Sequence, residues 1–298
     1  MSTLQLFLTC VVIWGTTWIA ITFQLGKVAP EASVAYRFLL ASVVLFIFCR
    51  VRRLPLKFSW RQHFDMALLG VSMFCISYIL VYYAELYIVS GMVAVGYSAS
   101  PMINMLSMRF LFGTPITWRV TGGALLGIVG IVFVFWPEFA NVARSRDAGL
   151  GALLTMLSVI ASSAGSMVAT RNQRCGLPVW QSMAWGMLYG SLLAFLITIL
   201  SGKALTFEPS AGYLVSLLYL AIFGSVIAFG AYLTLIQHIG AARASYIGVM
   251  VPVVALGISF FFEKFIWQSL TSIGVALLLA GNVLILSRPA NKLADTAH

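Results

Sequence analysis

The chain has 298 residues, 61% of them hydrophobic and only 9% charged, with a mean hydropathy of +1.00. A soluble domain carries roughly 25% charged residues, so there is too little polar surface here to coat a water-soluble particle. The net charge of +10 does not mark a nucleic-acid binder, because the basic residues fall in short breaks between apolar blocks rather than on one amphipathic element.

The apolar blocks are about 20 residues long, the length that crosses a hydrocarbon core of roughly 30 Å. They predict spans at approximately 4–25, 31–50, 64–84, 88–110, 118–136, 148–170, 178–200, 212–236, 241–262 and 266–287. All are expected to be helical, since lipid offers backbone groups no hydrogen-bond partner. No Lys or Arg precedes the first block and no small-residue cleavage pattern follows it, so it reads as a span and not as a cleavable signal.

The first span holds Trp14 and Trp18 well inside it, where each indole N–H needs a cavity or a neighbouring helix. Arg37 is the one ionised group clearly within a span; it either serves function or gating or snorkels outward from two turns down. In the third span Phe74, Tyr78 and Tyr82 recur at every fourth position and share a face, beside Tyr83. The face is either aromatic packing or a cavity wall.

Tyr97, Ser100, Asn104 and Ser107 form a polar stripe on the fourth span, which also carries Gly91, Gly96 and the helix breaker Pro101. Such polar groups either glue helices together or contact a substrate. The fifth span has Gly123, Gly127 and Gly130, a close-packing pattern. In the sixth, Thr155, Ser158, Ser162 and Ser166 align beside Ser163 and Gly165. Trp185 is buried in the seventh by position, while Trp60, Trp118, Trp136, Trp180 and Trp267 sit at span ends as interfacial anchors. The ninth span has Ser245, Tyr246, Gly248 and Pro252, and the tenth has Gly274 and Gly281.

Pro101 and Pro252 are 151 residues apart, as are Gly123 and Gly274, and Gly130 and Gly281. Matching breakers in corresponding apolar segments point to a transport site at the interface of two repeats. The repeats are expected at 1–139 and 148–288, with a short tail at 289–298. Five spans per repeat is odd, so the second copy is inverted. With the N-terminus inside, Arg50, Arg52, Arg53, Lys57, Arg61, Arg109, Arg119, Arg171, Arg174, Arg243, Arg288 and Lys292 fall on the cytoplasmic side. Only Lys27, Arg144, Arg146, Lys203 and Lys264 fall outside, which places both termini in the cytoplasm.

Asp65, Glu85 and Glu263 all fall at span ends, so no intramembrane carboxylate relay is visible and movement down a gradient is favoured. Cys10, Cys49, Cys75 and Cys175 lack metal spacing and read as buried free thiols. HExxH, Walker and nucleophile-elbow motifs are missing, so no enzyme, metal or cofactor is expected.

Trp14-Gly15 followed by Tyr36-Arg37-Phe38-Leu39-Leu40-Ala41 resembles the opening of an EamA-type module. Gly240-Ala241-Ala242-Arg243-Ala244-Ser245, Pro252-Val253, Phe262-Glu263, Gly274 and Gly281 resemble the close of one. The chain is thus similar to the ten-span exporters of the drug/metabolite transporter superfamily, including its bacterial aromatic and neutral amino-acid exporters. Phe112-Gly113 departs from Glu263-Lys264 at the matching place, so a role for Glu263 belongs to one half only.

The resemblance implies an all-α integral membrane protein of ten transmembrane helices in two inverted five-helix repeats, in the bacterial cytoplasmic (inner) membrane. It implies alternating access through a central cavity lined by spans 1, 3, 4, 6, 8 and 9. The expected activity is export of small metabolites, amino acids with aromatic or other neutral side chains foremost. Amphipathic drugs, a channel-like facilitator and a lipid flippase are the alternatives. The substrate is expected to meet Trp14, Trp18, Phe74, Tyr78, Tyr82, Tyr97, Ser100, Asn104, Ser163, Ser166, Trp185 and Tyr246. Bending or gating is expected at Gly91, Gly96, Pro101, Gly248, Pro252 and Arg37. Partners are a small-molecule substrate and membrane lipid, with no nucleic acid, and the protein is expected as a monomer or weak homodimer.

Overall fold

The computed structural model describes residues 1–113, 118–140, 145–245, 247–263 and 267–286. Tyr246, Lys264 and the tail 289–298 lie outside the described residues. Every regular element among the described residues is helical. They are labelled α1 (Thr3–Thr22), α2 (Pro30–Val51), α3 (Trp60–Ala84), α4 (90–112), α5 (Trp118–Ala140), α6 (Ser145–Arg174), α7 (Val179–Leu200), α8 (Ala211–Ile239), α9 (Ile247–Phe262, after the single turn Ala241–Ala244) and α10 (Ser269–Leu286).

Local chemistry sets the helix starts. Ser2 with Gln5, and Ser59 with Gln62, form capping boxes that satisfy the first amides of α1 and α3. Pro30 opens α2, where its missing N–H costs no hydrogen bond. Ser210 caps α8 by accepting from the Tyr213 amide.

Among the described residues six helices (α1, α2, α3, α6, α7 and α8) are long and apolar enough to cross a membrane. Their surfaces confirm the solvent: Leu8, Val12, Ile47, Leu196 and Val215 are exposed large apolar side chains. In water such a surface would aggregate. The protein is a multi-pass membrane protein. α5, α9 and α10 carry shorter apolar stretches, and α4 is broken, so length alone does not make these four into crossings.

The breaks are specific. α3 contains a π-helical segment at Gly70–Ile76 and α8 contains one at Leu220–Ile227. α4 runs as Ser90–Gly96, a 3₁₀ turn at Tyr97–Ala99, then Ser100–Phe112. Pro101 lies in the first turn of that last piece, where no amide is required. Pro252, by contrast, lies inside α9.

α5 packs along α10 through glycines. A Cβ on Gly130 would come 2.7 Å from the Gly274 carbonyl oxygen, and one on Gly281 would come 2.5 Å from the Gly123 carbonyl oxygen. Neither position admits a side chain, so the two backbones meet directly and gain dispersion contact along the seam.

The two ends of the bundle have different chemistry. At one end Asp65 pairs with Arg171 at 3.3 Å, and the Tyr189 hydroxyl meets His63 at 2.8 Å. At the other, Lys203 donates to Glu31 at 2.9 Å, and the Tyr83 hydroxyl donates to the same carboxylate at 2.6 Å. Glu85 and Glu263 lie at this second end, called the Glu85 end below. Cys10, Cys49 and Cys75 are buried thiols, but Cys175 is exposed just past α6. Its place after the last helical turn, beside Gly176, takes it out of the packed core.

Candidate functional site

A cavity lies at the centre of the bundle, with about 90 Å³ open to the centre of a water molecule. It is lined from six helices: Trp14, Thr17, Trp18 and Ile21 of α1; Tyr78 and Val81 of α3; Tyr97, Ser100 and Asn104 of α4. Ser162, Ser163 and Ser166 of α6, Phe229 and Tyr232 of α8, and Ser245, Ile247, Gly248 and Val251 on the α9 side complete it. Every lining side chain is uncharged.

The walls are aromatic and mutually braced. The Trp14 ring lies 5.1 Å from Phe229 and 5.2 Å from Tyr232, and its indole N–H donates to the Gly224 carbonyl at 3.2 Å, within the π segment of α8. Trp18 lies 5.1 Å from Tyr97. The Tyr97 hydroxyl is held 2.5 Å from Ser158 Oγ and 3.0 Å from Ser77 Oγ, which tie α4 to α6 and α3. The Ser166 hydroxyl is 3.2 Å from the Tyr232 hydroxyl.

Three polar atoms on these walls have no partner among the described residues: Trp18 Nε1, Asn104 Oδ1 and Ser163 Oγ. Asn104 spends its Nδ2 on Ser245 Oγ at 2.7 Å, which leaves its carbonyl oxygen as an unused acceptor. One N–H donor, one carbonyl acceptor and one hydroxyl are thus available inside an aromatic cage. Buried polar atoms are normally paired, and an unmade bond costs about 1–3 kcal/mol. A bound molecule can supply the missing partners.

Of the residues expected to contact substrate, Trp14, Trp18, Tyr78, Tyr97, Ser100, Asn104, Ser163 and Ser166 meet at this cavity. Phe74, Tyr82 and Trp185 do not. Phe74 and Tyr82 are fully buried in the bundle, and Phe74 packs on Phe38 and Phe229. Phe74 lies inside the π segment and shares the neighbours Phe38 and Phe229 with Tyr78, so the two keep one side of α3 while only Tyr78 reaches the cavity. Trp185 stacks on Tyr189 and donates to the Leu56 carbonyl at 3.3 Å, toward the Asp65 end.

Gly248 lines the cavity, and Ser98 Oγ donates to its carbonyl at 3.2 Å. Gly91 lies nearer the Glu85 end, where its amide donates to Ser259 Oγ at 2.9 Å. Gly96 precedes the 3₁₀ turn of α4.

Phe229, Tyr232, Thr17, Ile21 and Val251 were not singled out by the sequence, yet a signal for some of them was present. Adding 151 to Tyr78, Val81, Tyr97 and Ser100 gives Phe229, Tyr232, Gly248 and Val251, and all eight line the cavity.

Arg37 does not snorkel. It is only 1% exposed, its Nε donates to Ser225 Oγ at 3.0 Å, and its guanidinium carbon lies 4.5 Å from the Tyr78 ring centroid. A cation over a desolvated ring gains about 2 kcal/mol, which helps hold the charge in the core.

Glu85, just past the end of α3, is also buried. Glu263 accepts from the Ser90 amide at 3.2 Å, from Ser90 Oγ at 2.5 Å and from Ser259 Oγ. These bonds close α9 onto α4 at the Glu85 end.

The EamA-like transporter family model matches residues 1–136 and again 149–287. The uncharacterized inner membrane transporter YedA of Escherichia coli K12 is 29% identical over 249 residues, which cover 82% of this chain and 78% of YedA. Protein PecM of Dickeya dadantii is 25% identical over 92% of this chain and 88% of its own length. Protein PagO of Salmonella typhimurium is 24% identical over 85% and 82%. A crystal structure at 19% identity superposes with a TM-score of 0.70, covering 95% of this chain and 96% of that one, and supports the fold alone. The chain therefore belongs to the EamA-like transporter family, within the drug/metabolite transporters.

Proposed function

We propose that this transporter exports small, net-neutral organic molecules from a bacterial cytoplasm across the inner membrane, with aromatic and other apolar amino acids as its foremost cargo. The observation that carries the reading is the uncharged aromatic cavity with three unpaired polar atoms. Aromatic walls suit an apolar side chain, and the free donor, acceptor and hydroxyl suit a compact polar head. Amphipathic neutral drugs fit the same walls and are the second reading.

Alternating access between two inverted five-helix repeats, 1–139 and 148–288, is the mechanism we favour. Several features support it. The Gly130–Gly274 and Gly123–Gly281 contacts exchange places under the 151-residue offset, as a twofold relation requires. The π segments of α3 and α8 fall at corresponding positions. Four pairs of cavity residues are related by the same offset. With ten crossings and the charge count above, both termini are cytoplasmic and the Glu85 end faces outward.

Counterflow tests the reading. Liposomes containing only this protein, preloaded with an unlabelled amino acid, should accumulate the labelled one, tryptophan and phenylalanine best. A rate linear in concentration without counterflow would indicate a pore. Accumulation of a neutral amphipathic dye and no amino acid would move the assignment to drugs.

A further inference from the structure

The Glu85 end contains two carboxylates in opposed environments. Glu263 accepts three hydrogen bonds, from the Ser90 amide and from the Ser90 and Ser259 hydroxyls. Glu85 is 9% exposed, and among the described residues neither of its oxygens has a partner. An ionised carboxylate buried without donors is expensive, and protonation removes most of that cost.

The charged and titratable surroundings of Glu85 come from several elements. Arg37 of α2 and Glu263 beyond α9 act on it with opposite signs. Tyr82 of its own helix and Tyr97 of α4 also sense it. Tyr83 is engaged with Glu31 of α2 and with Lys203, and Lys203 donates to that same carboxylate. α6 packs Gly151 against Ile88, and its Asp147 is exposed in the first turn. The Lys203 charge is therefore already committed to Glu31. Arg37 is committed through Nε to Ser225, and its guanidinium also acts on the Tyr78 and Tyr82 hydroxyls.

We propose that Glu85 is a proton-binding site that carries a proton while Glu263 closes this end of the cavity. Taking the proton from a hydronium ion, which is left as water, forms the O–H bond of a neutral carboxylic acid and removes the Glu85 charge that acts against Glu263. Losing the proton to water restores that charge, whose repulsion of Glu263 opposes the Ser90–Glu263 closure. Val81 lines the cavity one helical turn before Glu85, so the site lies beside the cargo route and can couple a proton to it. That use rests on the transport reading, whereas the protonation itself does not.

Infrared spectroscopy of the full chain in lipid nanodiscs at neutral pH tests it directly. The wild type should show a carboxylic acid C=O band that is lost in Glu85→Gln and kept in Glu263→Gln. Glu85→Gln should also keep the wild-type melting temperature at neutral pH, because the amide copies the neutral acid. Absence of the band, its survival in Glu85→Gln, or failure of Glu85→Gln to fold would overturn the proposal. Counterflow at equal pH on both sides needs no proton gradient. Success there with no infrared band would discard the proton site and leave the transport reading standing.

Discussion

At the α5–α10 seam, Gly130 meets Gly274 and Gly123 meets Gly281, so each contact repeats the other 151 residues along the chain. Between α4 and α9 the same offset pairs Tyr97 with Gly248 and Ser100 with Val251, and a large or polar residue faces a small or apolar one. Asn104 reaches Ser245 across this interface. The offset would map that bond onto Ala255 and Ala94, which cannot form it. The seam needs only backbones that fit, and symmetry satisfies that need. Under the function proposed above the cavity holds a molecule with unlike ends, and unlike walls would do that better.

The comparison can be broken at the seam first. Gly130→Leu drives a side chain into the Gly274 backbone, and overpacking of this kind costs about 1–3 kcal/mol or more. Its melting temperature in detergent should fall by many degrees, and Gly281→Leu, its equivalent under the offset, should fall equally. Unequal falls would deny the symmetry of the seam.

Asn104→Ala removes the Ser245 contact and the open carbonyl together. Counterflow should drop by about tenfold, the equivalent of roughly 1.4 kcal/mol, with a far smaller loss in melting temperature. Tyr97→Phe sharpens the point, because it deletes the hydroxyl shared with Ser158 and Ser77 and costs about 1 kcal/mol of stability. If both variants transported normally, the cavity would not be the passage.

The smallest effect belongs to Lys203, in the α7–α8 connection. Its hydrogen bond to the Tyr83 hydroxyl, joined by the Glu31 carboxylate, raises its pKa above the ordinary lysine value of 10.5. A raised lysine contributes stability that is fully present below the ordinary value and is lost as pH rises through the raised one. Lys203→Met should therefore lower the melting temperature by a constant amount across neutral pH. The difference should disappear only in strong alkali. The side chain is 38% exposed, so solvent screening keeps the effect under about 1 kcal/mol.

Helix positions were legible because hydropathy and helix-start chemistry act locally. The capping boxes at Ser2 and Ser59 are examples. The polar stripe of α4 was legible for the same reason: Tyr97, Ser100 and Asn104 share a face whatever surrounds them. Direction was not. Trp185 sits in mid-helix as read, but nothing in the spacing says that its ring turns toward His63 and Leu56. Glu85 reads from the sequence as the end of an apolar run, and a place at a span end does not say whether neighbouring helices cover the group; its burial is a tertiary event. Phe229 and Tyr232 were recoverable, since the offset already seen for prolines and glycines carries Tyr78 and Val81 onto them.

The π segments of α3 and α8 make the length of these helices as consequential as their composition. Each holds about one residue of extra chain in a wide turn, so deleting one residue within Gly70–Ile76 would let the helix close into ordinary α geometry while Tyr78 and Glu85 kept their faces. Deleting Ser77, in the regular α-helix that follows, would instead turn Tyr78 and everything after it by about 100°. A one-codon deletion is absorbed in the wide turn and ruinous one residue beyond it.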